Sequence, residues 1–284
     1  MTETLNKNAD GRTVLRIERH LSHPPTKVWR ALTDPKELSQ WFPATATTVD
    51  LRAGGTVQLE YGDEMLINTV EPPHVVEFSW HGELLRWELR PDEHGCKLMF
   101  THTFDDHAGA ASFASGWQQC LVAMELLLDG KPVEHERPSA ELHDAFVETF
   151  GLDEGILEQT ADGWRVRFER QLTAPAAQAW AVLAPRTPEL GDPAPQALST
   201  PSVTAGPVTH VEAPSRLEYQ WLLEDRPAGS VRWELSDDRG TGHGARLVIV
   251  QTGSTAASGQ QSLALEAWQR PIQDLAEKLR QITP

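Results

Sequence analysis

Residues 15–29 read L-R-I-E-R-H-L-S-H-P-P-T-K-V-W, and residues 167–180 read R-F-E-R-Q-L-T-A-P-A-A-Q-A-W. At an offset of 151 residues, Arg16, Glu18, Arg19, Leu21, Pro24 and Trp29 meet Arg167, Glu169, Arg170, Leu172, Pro175 and Trp180. Six identities in fourteen positions far exceed the one or so that composition supplies by chance. The match continues in the same order. Glu77, Ser79-Trp80 and Arg86-Trp87-Glu88-Leu89 fall on Glu218, Gln220-Trp221 and Arg232-Trp233-Glu234-Leu235, Gly95 and Leu98 on Gly244 and Leu247, and Trp117-Gln118 on Trp268-Gln269. Offsets that drift by loop-sized steps mark a duplicated domain, and a chain of 284 residues has room for two.

The stretch that opens the repeat has strand periodicity. Leu15, Ile17, Arg19 and Leu21 share one face, and Val14, Arg16, Glu18 and His20 the other. Pro24-Pro25 ends the strand, and Pro25 suits the first turn of a helix that buries Val28, Trp29 and Leu32. Asp34-Pro35 starts a second short helix that stops at Trp41-Phe42-Pro43. From Ala46 to Phe104, turn residues at 52–55, 62–63, 71–74, 81–83 and 91–95 delimit about six strands at hairpin spacing. Their apolar faces carry Val57, Leu59 and Tyr61, then Val76, Phe78 and Trp80, then Leu85, Trp87 and Leu89, then Leu98, Phe100, His102 and Phe104. The opposite faces are polar, as in an antiparallel sheet with one wet side. A helix follows at about 110–129, with Phe113, Trp117, Cys120, Leu121, Met124 and Leu128 at helical spacing. Its apolar stripe has one large surface to pack on, the inner face of the sheet.

The expected organisation is a flexible tail at 1–12, a first domain at 13–131, a connection with a short helix at 132–162, and a second domain at 163–284. The second copy is reduced. Trp29 to Trp80 spans 51 residues and Trp180 to Trp221 only 41, the Trp41-Phe42 pair has no counterpart, and a proline-rich segment stands where the second short helix should be. That predicts the loss of this helix and of one strand. Pro271 stands where the first copy has Cys120, which predicts a kink or restart in the final helix.

With 41 acidic against 25 basic residues and a formal charge of −16, the chain is repelled by nucleic acid and by anionic membranes. No run of eighteen apolar residues exists, so membrane insertion is not expected. The polar N-terminus and two cysteines without metal-ligand spacing point to a reducing, cytoplasmic setting. No nucleophile elbow, H-E-x-x-H, C-x-x-C or dinucleotide loop is present, so neither a cofactor nor a metal is expected.

The pattern R-I-E-R-H-L-S-H-P-P-T-K-V-W-R-A-L-T-D-P-K-E-L-S-Q-W-F, followed by L-R-A-G-G-T-V-Q-L, V-E-P-P-H-V-V-E-F-S-W and G-W-Q-Q-C-L, closely resembles the START-type (SRPBCC) superfamily. Within it, the chain is similar to the branch of activators of the heat-shock-protein-ninety ATPase. The resemblance implies α+β architecture in two tandem helix-grip domains, each a curved antiparallel sheet wrapped around a long C-terminal helix with a cavity between them. It also implies a chaperone ATPase as one conceivable partner.

Candidate ligand-contacting residues are those the alternation turns inward in the first copy: Tyr61, Trp80, Trp87, Phe104 and Trp117, with Phe100 beside them and Trp41 and Phe42 near a mouth. Such rings either fill a solid core or surround a void. Arg19 and His102 lie on the same apolar face. A buried guanidinium needs a carboxylate or a ligand's acceptor; His102 is either a satisfied core histidine or a ligand contact. Gln251 replaces it in the second copy, so the fold does not require its charge. The leading expectation is a non-catalytic binding protein for a small apolar or amphipathic molecule. The alternatives are a cyclase- or hydrolase-like enzyme, with His102 as base and Arg19 polarising a carbonyl, and an ATPase-activator-like interaction protein. No catalytic residues are assigned.

Overall fold

In Thr13–Leu21 every second side chain is buried from end to end, and the expected strand forms there and organises the first domain around it. The computed structural model describes residues 2–134, 139–237 and 244–282, and the chain divides into two units, Met1–Ser139 and Ala140–Pro284. Residues 135–138 of the expected connection lie outside the described residues. Each unit is an antiparallel sheet packed on helices, so the chain is two tandem helix-grip domains of the α+β class.

The first domain runs β1 (Thr2–Lys7), β2 (Thr13–Leu21), α1 (Pro25–Thr33), α2 (Pro35–Leu38), β3 (Ala46–Val49), β4 (Thr56–Leu59), β5 (Glu64–Glu71), β6 (Val75–Trp80), β7 (Glu83–Asp92), β8 (Gly95–Phe104) and α3 (Ala110–Leu128). Local chemistry sets the breaks. Pro25 opens α1, and the Asp34 side chain caps α2 by accepting from the amides of Lys36 and Glu37. The sheet order is β1-β2-β8-β7-β6-β5-β4-β3. Its inner face is covered by α3, whose Trp117 meets Phe100 at 4.5 Å and Trp87 at 5.8 Å between ring centroids. The outer face is laced by cross-strand ion pairs such as Lys97–Glu18 and Arg86–Glu77.

The second domain runs α4 (Ala140–Thr149), β9 (Ile156–Thr160), β10 (Gly163–Gln171), α5 (Ala176–Leu183), β11 (Thr204–Glu212), β12 (Arg216–Leu223), β13 (Arg226–Ser236), β14 (Arg246–Ser254), α6 (Gln261–Ala267) and α7 (Gln269–Ile282). Its order, β11-β12-β13-β14-β10-β9, is the first domain's order without β3 and β4. The long helix is broken at Trp268, and Pro271 sits in the first turn of α7, where its missing N–H costs nothing.

The edge strands and the reduced meander differ from expectation. Thr2–Lys7, expected within a loose tail, is an edge strand paired with β2 over its whole length; β9 repeats that arrangement on β10. Backbone pairing to a neighbouring strand needs no apolar pattern, so neither polar segment announces itself. The second domain has lost two meander strands, not one, because prolines at 185, 188, 193 and 195 cannot donate to a ladder. Isolated bridges, Pro193 to Pro207 and Thr200 to Val203, remain there.

Candidate functional site

Glu83 opens β7 directly opposite Trp80, the last residue of β6. Between them His81 and Gly82 both have positive φ, 50° and 84°, the two-residue turn whose twist matches the flanking strands. Strand alternation then puts Glu83 on the inner face with Leu85 and Trp87, at the end of the sheet where β8 carries His102 and α3 carries Trp117.

These groups are joined by hydrogen bonds. Trp117 Nε1 donates to His102 Nδ1 at 3.1 Å. An indole nitrogen can only donate, so Nδ1 is unprotonated and the ring proton is on Nε2. His102 Nε2 therefore donates to Glu83 Oε2, at 2.7 Å. The imidazole is neutral, 1% exposed and satisfied at both nitrogens. Burial pushes its pKa down, opposed in part by the Glu83 carboxylate. The Glu83 side chain keeps 30% of its exposure.

Aromatic rings surround this polar chain. Phe113 stands edge-on to His102 at 4.6 Å, Phe104 lies 4.7 Å from it, and Phe42 bridges Trp117 at 5.8 Å to Trp80 at 5.6 Å. Trp80 is half-buried. Its Nε1 points outward to Asp63 Oδ2 at 2.8 Å, a bond that, with the neighbouring Glu64 amide and His81, holds the Asp63 carboxyl below its usual range.

Of the residues expected to line a pocket, Trp41, Phe42, Trp87, His102, Phe104 and Trp117 are buried and in contact, and Trp80 forms the rim. Trp87 stacks on Phe100 at 4.0 Å. Trp41 donates Nε1 to the Ala31 carbonyl at 2.9 Å, tying the end of α2 to α1. Tyr61 is a correction. It is fully exposed, with φ 64° in the tight turn Glu60–Gly62; β4 ends at Leu59, and the turn breaks the alternation that assigned Tyr61 inward. Arg19 is also apart from this mouth. On β2 it pairs with Leu98 and Leu15 pairs with His102, so the two groups are about 13 Å apart along the sheet. Its burial is compensated internally, by a hydrogen bond to Gln118 and by Glu125 at 3.7 Å and Glu3 at 3.9 Å. Arg19 and His102 cannot act on one substrate atom. Glu83 is hidden in the sequence because His81-Gly82-Glu83 reads as turn; its two-residue spacing to Leu85 and Trp87 is the one signal of its face.

The second copy rebuilds this end without a polar mouth. Gln251 stands in for His102 and accepts from Trp268 Nε1 at 2.8 Å. Glu83 becomes Gly229, where a Cβ would come within 1.9 Å of the Thr252 carbonyl oxygen and 2.7 Å of Trp221 Nε1. The β12–β13 hairpin continues beyond Trp221 to the Leu223–Arg226 pair, so Trp221 is internal, and its Nε1 donates to the Thr252 carbonyl at 2.7 Å. The Thr13–Phe104 cross-strand pair becomes Trp164–Gly253. Trp164 occupies the space over Gly253, whose added Cβ would lie 2.2 Å from the indole.

Neither thiol is activated: burial pushes Cys96 up to about 11 and Cys120 up to about 12. Among the described residues, no three or more His, Cys, Asp or Glu side chains are placed to hold a metal ion. No described helix is long and apolar enough to cross a membrane.

Residues 22–129 match the family model described as activator of Hsp90 ATPase homolog 1-like protein, a span inside the first domain. Similar solved structures include EF2215, a conserved protein of unknown function from Enterococcus faecalis, at 17% identity over 52% of this chain and 89% of that one, with a TM-score of 0.45. CalU16 from Micromonospora echinospora is 20% identical over 53% of this chain and 94% of its own, with a TM-score of 0.43. CV1439 from Chromobacterium violaceum is 24% identical over 40% and 96%, with a TM-score of 0.35. No curated protein matches the chain.

Proposed function

We propose that the first domain, the one matching the activator-of-Hsp90-ATPase-homolog family, is a non-catalytic binding module for a small apolar or amphipathic molecule. The ligand enters at the end of the sheet bounded by Trp80, Phe42, Phe113 and Trp117. The observation that carries this reading is the contrast at one structural position. The first copy keeps a half-buried Trp80 there and a buried His102 bonded to a partly exposed Glu83, whereas the second fills the place with Trp164 and Trp221. A fold that needed only a core at this end would have no use for a buried imidazole tied to a carboxylate at the rim, since burying that polar ring costs more than burying an apolar substitute. Two unpaired cysteines support a cytoplasmic setting.

Native mass spectrometry and thermal-shift measurements on the full chain, with fatty acids, polyketides and simple aromatics, test the proposal. At least one class should bind at one equivalent and raise the first unfolding transition, and Trp80→Ala should abolish the shift. Absence of any stabilising ligand disproves the reading.

The description of the matched family favours a second reading, in which the domain stimulates a chaperone ATPase through an outer surface. A rise in the ATPase rate of Hsp90 on adding the full chain, retained in Trp80→Ala, supports it; an unchanged rate at saturation rejects it. Hydrolase or cyclase chemistry has less support, because a substrate proton can reach His102 only by displacing Trp117 or Glu83.

A further inference from the structure

We infer that the molecule taken by the first domain carries a cationic nitrogen, held by the Glu83 carboxylate beside the Trp80 ring. This rests on the ligand reading above and names the polar end of that ligand. Glu83 Oε2 is occupied by His102, which is neutral because the indole of Trp117 fills its other nitrogen. The histidine therefore anchors the carboxylate without cancelling its charge. Among the described residues, no Lys or Arg forms an ion pair with Glu83. The nearby Arg12 is committed elsewhere: its Nε donates to Asp105 at 2.7 Å, and its Nη2 to the carbonyls of Gly82 at 2.8 Å and Thr103 at 3.4 Å. On the other side of the hairpin, Asp63 accepts from Trp80 and lies 2.9 Å from His81 Nε2.

A carboxylate fixed in direction, partly shielded from water and lacking a cation is half of an ion pair. Trp80, directly across the hairpin from it on the same face, adds the attraction of an indole π-surface for an ammonium group. Behind both lie Phe42 and Trp117, positioned for an apolar or aromatic body attached to the cation. The formal charge of −16 further favours a positively charged ligand over an anionic one. The second domain supplies the converse arrangement, with Gly229 in place of the carboxylate and Trp221 sealed by the Thr252 carbonyl.

Three probes with the same ring and chain length separate the charge from the apolar body: 4-phenylbutylamine, 4-phenylbutanol and 4-phenylbutyrate, titrated calorimetrically into the full-length protein at pH 7.5. The amine should bind about tenfold or more tighter than the alcohol, and the carboxylate weakest. Glu83→Gln should abolish the preference for the amine over the alcohol, and Glu83→Asp should retain it. Circular dichroism melts identify any variant that fails to fold; if Glu83→Gln does so, the preference of the wild type and of Glu83→Asp decides. Alcohol or carboxylate binding as tightly as the amine, or a preference that survives Glu83→Gln, overturns the cation assignment and leaves the ligand reading standing. If none of the three binds, the cation assignment fails, and the wider ligand screen decides whether the binding reading fails with it.

Discussion

At the same place in the same topology, the two domains tie their long helical segment to the last strand with one hydrogen bond. In the first the bond runs from Trp117 to His102, and in the second from Trp268 to Gln251. The helix-to-strand tie thus belongs to the fold, and any neutral acceptor serves. What differs is the layer behind the acceptor. The first domain extends the chain of bonds to a carboxylate at the rim, while the second stops at Gln251, whose Nε2 has no hydrogen-bond partner. A polar extension present in one copy and replaced by indoles in the other is separable from folding, which makes it the place to look for function.

The sharpest attempt to erase this difference is to put the carboxylate into the second copy. Gly229→Glu would drive a Cβ against the Thr252 carbonyl, so the second unfolding transition should lose more than about 4 kcal/mol, or disappear. The converse change, Glu83→Gly, should lower the first transition by only about 1 to 3 kcal/mol, the cost of an unmet partner. Equal losses in chemical denaturation would mean that the two positions are not built differently. Next in size is the tryptophan pair. Trp221→Ala should cost about 3 kcal/mol or more, as expected for a buried indole, and Trp80→Ala no more than about half of that, because its ring is only half-buried.

The smallest effect is one of pH. His102 is held neutral by burial, its pKa below the ordinary 6.5. As pH falls below about 6.5, the unfolded chain takes up a proton there before the folded one does, so the stability of the first domain falls with falling pH. The slope for one site is at most about 1.4 kcal/mol per unit. His102→Gln, which copies the second domain, should flatten this dependence between pH 7.5 and 5. The carboxylates held below their usual range, Asp63, Asp92 and Asp129 among them, contribute only at more acid pH. A wild-type first transition already flat over that range would remove His102 from the account.

Much of the architecture was legible because its causes are local. Gly, Pro and Asp place the turns, alternation sorts the faces of β2 and of β6 to β8, and the repeated Arg-x-Glu-Arg motif exposes the duplication. Arg19 on an apolar face calls for either a carboxylate or a ligand's acceptor, and the sequence does not choose, since Glu3 and Glu125 are brought to it by pairing and packing far along the chain. Strand β1 is not legible in the sequence because its partner confers its structure. Tyr61 reads as inward from the sequence because a left-handed turn residue looks like one more alternating position. The candidate site was half legible: its rings follow from alternation, but Glu83 sits at a turn-to-strand boundary, and the Trp117–His102–Glu83 sequence of bonds joins residues from three elements. The exchange of Thr13–Phe104 for Trp164–Gly253 likewise becomes visible only once strand register is known.

The chain's reactive side chains are divided between the domains in a way that lets each be followed alone. Both thiols are in the first, Cys96 fully buried and Cys120 half-buried. The second holds Tyr219, fully enclosed, with its hydroxyl bonded to the Leu198 carbonyl and its phenol pKa pushed well up by burial. Tyr61, the chain's other tyrosine, is open to solvent throughout. Modification of Cys96 by a thiol reagent therefore counts openings of the first domain, and nitration of Tyr219 counts those of the second. Tyr61 calibrates the nitrating reagent within the same molecule.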